Sequence, residues 1–291
     1  MDLEADKEAK STSKDDWDGP EARVNLRQRY LNPSSTAASC GNAVRDVGSD
    51  KPMNDTYADW KHWEADQFGR CSHSDVRYFT WCMKQASLSS PPARVLEIGF
   101  GNGAFLGYCR GQGWSTTGIE TNKTLLNRAA SAGFSALSSV EELPSGLAFD
   151  LIAVFDVLEH LPIEGAEALL SQLRNVLSPQ GAILLRVPNG DSPFGRAYQH
   201  GDRTHVETYG SEKLQQLCVS LRLGIVHAGE APWGSQHRMP RTVRTFVGSV
   251  LKWVMDRLIG YAYFGHYVDL SPNLFVVIKP TGIPLPGPNT A

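Results

Sequence analysis

The sequence is poor in the features that hold small secreted domains together. It has five cysteines, Cys40, Cys71, Cys82, Cys109 and Cys218, an odd number with no C-x-x-C pair. Neither a disulfide framework nor a zinc knuckle is expected, and a reducing cytoplasm is the natural compartment. No uncharged run approaches the length of a membrane span. The N-terminus, Met1 to Lys10, is charged instead of apolar, so no secretory signal of the usual kind is expected. Positive charge is not in excess either: a net charge of -3 and a pI near 6.2 argue against a nucleic-acid partner held by bulk electrostatics.

What the chain does have is enough apolar residues for a core, 41% of its 291 positions, but not at its start. Residues 1–21 carry eight acids against Lys7, Lys10 and Lys14, with almost nothing to bury. That composition predicts a disordered acidic tail over 1–51, with one short helix over 23–30. Aromatics at helical spacing over 57–68 and 75–85 predict a helical entry cap within 52–90. The main domain is expected over 52–280, with a helical insertion over 232–270, and the Pro-rich end 281–291 as a flexible tail.

Arg94-Val95-Leu96-Glu97-Ile98-Gly99-Phe100-Gly101-Asn102-Gly103-Ala104 is the organising stretch. It reads as a buried strand that turns through a glycine loop into a helix whose free N–H groups can face a ligand; a Cβ there would keep the ligand off the backbone. Gly99-x-Gly101-x-x-Ala104 also fits a dinucleotide fingerprint, so a nicotinamide or flavin enzyme is one alternative. Further strands are expected over 115–120, 134–137, 149–155, 181–187, 223–230 and 273–279, and helices over 104–111, 122–132, 166–177 and 211–221. Strands alternating with helices predict an α/β, Rossmann-like, doubly wound sheet of seven strands with helices on both faces.

Ligands of such sheets sit beyond the carboxyl ends of the strands. Those ends carry Glu97 and the glycines, then Glu120, then Phe155-Asp156, then Pro188-Asn189. A carboxylate at Glu120 can accept hydrogen bonds from a ribose diol. In the motifs Val95-Leu96-Glu97-Ile98-Gly99-x-Gly101-x-Gly103, Gly118-Ile119-Glu120, Phe149-Asp150-Leu151-Ile152 and Val157-Leu158-Glu159-His160-Leu161, their order and their spacing, the chain resembles the class I S-adenosylmethionine-dependent methyltransferases from about Arg94 to Lys279. The resemblance implies S-adenosylmethionine as cofactor and an antiparallel last strand. It implies that Glu97, Gly99, Phe100, Gly101 and Gly103 surround the methionine moiety, that Glu120 holds the ribose and that Phe155 lines the methionine side. Where relatives often place an aspartate near the adenine amine, this chain has Ser138-Ser139-Val140, which leaves Ser139 as the candidate.

Methyl transfer from a sulfonium needs alignment and, for a hydroxyl acceptor, a base. Phe155-Asp156-Val157-Leu158-Glu159-His160 replaces the Asn-Pro-Pro-Tyr type of motif, which weighs against nucleobase amino methylation. His160, His205 and Asp156 are the candidate catalytic residues. The segment 202–209 and the aromatic entry resemble methyltransferases of glycan and quinone pathways, and the expected acceptor is a hydroxyl of a sugar, glycan or other small biosynthetic intermediate, free or lipid-linked. Glu159-His160 resembles a pair that meets a metal in the quinone branch, but two adjacent ligands are too few to claim one, and no metal is assigned. Alternatives are a quinone or natural-product O- or N-methyltransferase and a catalytically silent S-adenosylmethionine-binding accessory protein. Over 241–264, apolar residues at helical spacing accompany Arg241, Arg244, Lys252 and Arg257 against Asp256. That pattern predicts either a helix lying peripherally on a membrane or a lid or dimer helix with its stripe packed on the domain.

Overall fold

The apolar runs of the sequence become the centre of one sheet. The computed structural model describes residues 61, 63–230 and 243–282, within the unit Asp50–Ala291. The expected acidic tail, the helix over 23–30, most of 52–62 and the chain past 282 lie outside the described residues.

The strands are β1 (Arg94–Ile98), β2 (Ser115–Ile119), β3 (Ser135–Leu137), β4 (Phe149–Phe155), β5 (Leu177–Pro188), β6 (Leu223–Ala228) and β7 (Asn273–Pro280). They lie in the order β3-β2-β1-β4-β5-β7-β6. The first five in that order are parallel, and β7 runs antiparallel to both β5 and β6, so the expected seven-stranded, mostly parallel sheet is what the chain forms. Leu151 and Ala153 pack on one face of β4 and Ile152 and Val154 on the other, all with no exposed surface. A strand covered twice has no use for polar alternation, which is why its sequence is continuously apolar.

The helices are α1 (His73–Ala86), α2 (Ala104–Gly111), α3 (Lys123–Ser131), α4 (Ile163–Val176), α5 (Arg196–Gln199), α6 (Ser211–Ser220) and α7 (Val243–Ile259), the last followed by a π-helical turn (Gly260–Phe264). A capping box starts α1: Ser72 Oγ accepts from the Asp75 N–H at 3.1 Å while Asp75 Oδ2 accepts from the Ser72 N–H at 2.8 Å. Tyr78, Phe79, Cys82 and Ala86 then bury one face of α1. Asn122 caps α3 through Oδ1, which accepts from Thr124 and Leu125.

Three expectations are corrected. Leu177 was expected to end a helix, yet it opens β5, because it pairs with Phe149 across the sheet before the strand bends to rejoin the ladder at Ala182. In the entry cap, the described part of 57–68 contains only a 3-10 turn, Ala65–Gln67. The loop after β5 also holds the short helix α5, which carries no apolar period long enough to be read. All four described cysteines are free thiols.

Candidate active site

A cavity of about 820 Å³ opens beyond the carboxyl ends of β1, β2 and β4, roofed by the entry cap. Glu97, Gly99, Phe100, Gly101, Glu120, Phe155, Asp156 and His160 line it, and Gly103, Ser139 and His205 do not. Most of the expected constellation is therefore brought together by the sheet, with three members left outside.

The glycine loop is built differently from the simple expectation. Gly99, Gly101 and Gly103 all take positive φ, at 65°, 52° and 72°. Yet a Cβ at each would strike protein first: Val157 at 2.6 Å, Trp63 at 2.8 Å and Phe68 at 2.6 Å. Gly103 is thus a packing and turning residue at the start of α2, not part of the wall. The start of α2 is not wholly free for a ligand either. The buried Glu97 side chain accepts from the Leu106 N–H at 3.1 Å through Oε2. Burial pushes its carboxyl well above the usual range, against the opposing pull of that N–H, and the charge of Glu120 adds to the rise.

Glu120 is held by three backbone donors: Thr121 and Asn122 N–H to Oε1 at 2.8 and 3.0 Å, and Gly101 N–H to Oε2 at 3.3 Å. A carboxylate offers about four acceptor positions, so room remains for a ligand hydroxyl, and the long Gly101 contact is the weakest to exchange for a second. Ser139 is half-buried at the start of the turn Val140–Glu142, with its hydroxyl on Glu141. Phe155 stacks on Phe79, with ring centroids 6.0 Å apart.

Asp156 sits at φ 56°, a conformation few residues other than glycine adopt, and its carboxylate forms a two-point pair with Arg186, at 2.9 Å from Nε and 2.5 Å from the second nitrogen. Two of its about four acceptor positions are directed at the guanidinium. Arg186 also lies over the rings of Tyr78 and Phe155.

His160 and His205 pack edge to face, with centroids 4.6 Å apart, but only His160 reaches the cavity. Behind it runs a hydrogen-bonded chain. Thr204 Oγ1 is 2.9 Å from His160 Nδ1 and 2.6 Å from Asp202 Oδ1. Burial alone would raise the Asp202 carboxyl, but the hydrogen bonds from Thr204 outweigh it and hold it below the usual range. An ionised Asp202 can only accept, so the threonine hydroxyl donates to it and in turn accepts from His160 Nδ1–H. That arrangement leaves the lone pair of a neutral His160 on Nε2. Burial, and next the neighbouring His205, hold the imidazole below its ordinary value, so it is neutral at pH 7.

Glu159, His160 and His205 form a cluster whose ligand atoms lie within 4.8 Å of one another. Among the described residues neither carboxylate oxygen of the buried Glu159 has a hydrogen-bond partner, and His205 Nε2 stands 4.0 Å from Oε1. The sequence offered only the adjacent pair. The fold adds His205, whose Nδ1 is 3.1 Å from the Gln199 carbonyl oxygen, the outer contact that typically orients a metal-binding imidazole. The three could hold a divalent cation or, without one, a proton on Glu159.

Lys61, Tyr78, Arg186, Thr204 and Asn273 also line the cavity without having been singled out. Arg186 had a signal, a lone charge inside an apolar strand. Asn273 had none, since only the antiparallel pairing of Pro188 with Asn273 brings it here.

Residues 86–227 match the model of a family described as "Methyltransferase domain". Residues 86–227 carry a methyltransferase domain. Together with the sheet order and the strand-end motifs, this makes the protein an S-adenosylmethionine-dependent methyltransferase and removes the nicotinamide alternative. Among solved structures, a SAM-dependent methyltransferase from Archaeoglobus fulgidus is similar at 20% identity and a TM-score of 0.52, over 72% of this chain and 94% of that one. The plantazolicin methyltransferase BpumL, in complex with a monoazolic desmethylPZN analog and SAH, is similar at 17% identity and a TM-score of 0.50, over 80% and 90%. No curated protein matches the sequence. The matched family segment ends within β6, so α7 and β7 of this methyltransferase lie beyond it.

Proposed function

We propose that this methyltransferase methylates a hydroxyl group, most naturally on a sugar or glycan intermediate, with His160 as general base. The observation that carries the reading is the Asp202–Thr204–His160 chain, which presents an unprotonated imidazole nitrogen from a residue on the cavity wall. A half-buried, neutral base of this kind is what a hydroxyl needs and what an already nucleophilic amine does not.

The cavity fits the cofactor in size and chemistry. Its volume of about 820 Å³ falls within the range of small-molecule sites. In the proposed arrangement Glu120 accepts from the ribose, while Glu97, Gly99, Phe100, Gly101 and Phe155 flank the methionine moiety. When bound there, S-adenosylmethionine would supply an electrophilic methyl group to the acceptor oxygen, with its sulfonium sulfur as the leaving group. His160 Nε2 takes the hydroxyl proton, and Thr204 with Asp202 steadies the imidazolium that results. Trp63, Tyr78, Lys61, Arg186 and Asn273 line the same cavity, a mixed aromatic and polar wall suited to a polyhydroxylated molecule.

The test is methyl transfer to a panel of sugar, phenol and amine acceptors by the wild type and His160→Ala. The variant is expected to turn over about 10²–10⁴-fold more slowly with S-adenosylhomocysteine affinity intact. Near-normal turnover of the variant across pH 6 to 9, or transfer to amines alone, would refute the reading.

A further inference from the structure

The helix α7 and the turn after it turn their apolar side chains away from the domain. Phe246 is 70% exposed, Leu251 57%, Trp253 57%, Leu258 66% and Tyr263 81%. Taken at 3.6 residues per turn, the exposed apolar arc of α7 spans roughly 200°. A stripe that packs on a core spans about half of that and faces inward. The lid alternative, with the stripe packed on the domain, is therefore corrected: the side of α7 turned to the domain holds the buried Asp256 and the half-buried Lys252, and Gly260 in the following turn is buried as well.

The charge of this face is one-sided. Between Phe246 and Tyr267 the only acid is Asp256, and it is buried and paired with Lys252 at 2.5 Å. Arg257 is exposed and lies over the rings of Trp253 and Tyr267. Basic charge, aromatic rings with a polar edge and a broad apolar arc are the composition of a helix at a bilayer interface. No helix among the described residues is long and apolar enough to cross a membrane.

The helix is also anchored where it would matter. Lys252 bridges to Asp269 at 3.0 Å. Asn189 Nδ2 donates to the Asp269 and Ser271 carbonyls, and Asn273, two residues on, lines the cavity. Thus α7 joins the sheet at the end where the cavity opens.

We infer that α7 with its following turn seats this methyltransferase on an anionic membrane surface, with the cavity at that surface. A second copy of the chain suits the face less well, since a self-contact would bring two Arg257 guanidinium groups together with no exposed acid between Phe246 and Tyr267 to pair them. The inference does not depend on the hydroxyl reading: it holds whatever the methyl acceptor is.

The experiment is cosedimentation of the full chain with vesicles of phosphatidylcholine and phosphatidylglycerol in equal parts, against phosphatidylcholine alone, at low salt. The wild type is expected to partition at least ten-fold more strongly to the anionic vesicles. Phe246→Ser, Leu251→Ser, Trp253→Ser and Leu258→Ser combined should weaken partition about 100-fold, and Arg257→Glu several-fold. Unchanged S-adenosylhomocysteine binding shows that both variants are folded. Absence of wild-type binding, or equal binding by the apolar variant, overturns the inference. A dimer in sedimentation equilibrium that the apolar variant abolishes, without vesicle binding, gives the face to a second copy instead.

Discussion

Replacing Glu159 by Gln tests the buried cluster behind the cavity. Glu159 is 1% exposed, and among the described residues neither of its carboxylate oxygens has a hydrogen-bond partner. Burial, with Asp156 adding to it, pushes its carboxyl from the ordinary 4.5 up to about 8. The folded chain therefore keeps the proton that the unfolded chain gives up near pH 4.5. This group's contribution to stability is complete below pH 4.5, declines as pH rises and is gone above pH 8. A difference of this size corresponds to about 5 kcal/mol at pH 9, at 1.36 kcal/mol for each tenfold change in the proton equilibrium, and hydration on local opening reduces it to roughly 2–5 kcal/mol. Glutamine keeps the shape and cannot ionise. In metal-free buffer, Glu159→Gln should match the wild type in urea unfolding at pH 5 and exceed it by about 2–5 kcal/mol at pH 9. Tryptophan fluorescence would follow the transition. A variant no more stable than the wild type at pH 9 would refute the reasoning, since it would mean that Glu159 is ionised and held by a positive charge beside it. Repeating the measurement with added zinc asks whether a metal can supply that charge: stabilisation of the wild type but not of the variant would identify the cluster as a metal site.

Two further outcomes follow from the geometry of the loop. Glu120→Ala should weaken S-adenosylhomocysteine binding by about 1–3 kcal/mol in isothermal titration, because a charged acceptor is lost; unchanged affinity in a folded variant would remove Glu120 from the ribose. Gly107→Ala should destabilise the domain by about 3 kcal/mol or more in chemical denaturation, because a Cβ there would lie 1.8 Å from the Gly69 carbonyl oxygen and force backbone apart; a variant within 1 kcal/mol of the wild type would mean that the contact yields freely.

Local sequence was enough wherever one short segment had a single way to bury itself. The continuous apolar run over β4 has no polar side to expose, so it had to become a strand covered on both faces. The glycines at 99, 101 and 103 announced a tight turn, and strand-end rules located Glu97, Glu120 and Phe155 on one edge. What local sequence could not carry was the choice between partners distant in the chain. That Asp156 is paired with a cation depends on Arg186, thirty residues away on the next strand. Which nitrogen of His160 bears the proton depends on Thr204 and Asp202, brought in by a loop beyond β5. His205 reads as an equal of His160 in the sequence, and only packing puts one on the wall and the other behind it. The stripe on α7 shows the same limit: its period announced a helix, but an amphipathic period is identical for a face that packs inward and one that faces out, and only the bridge from Lys252 to Asp269 and the burial of Asp256 decide which.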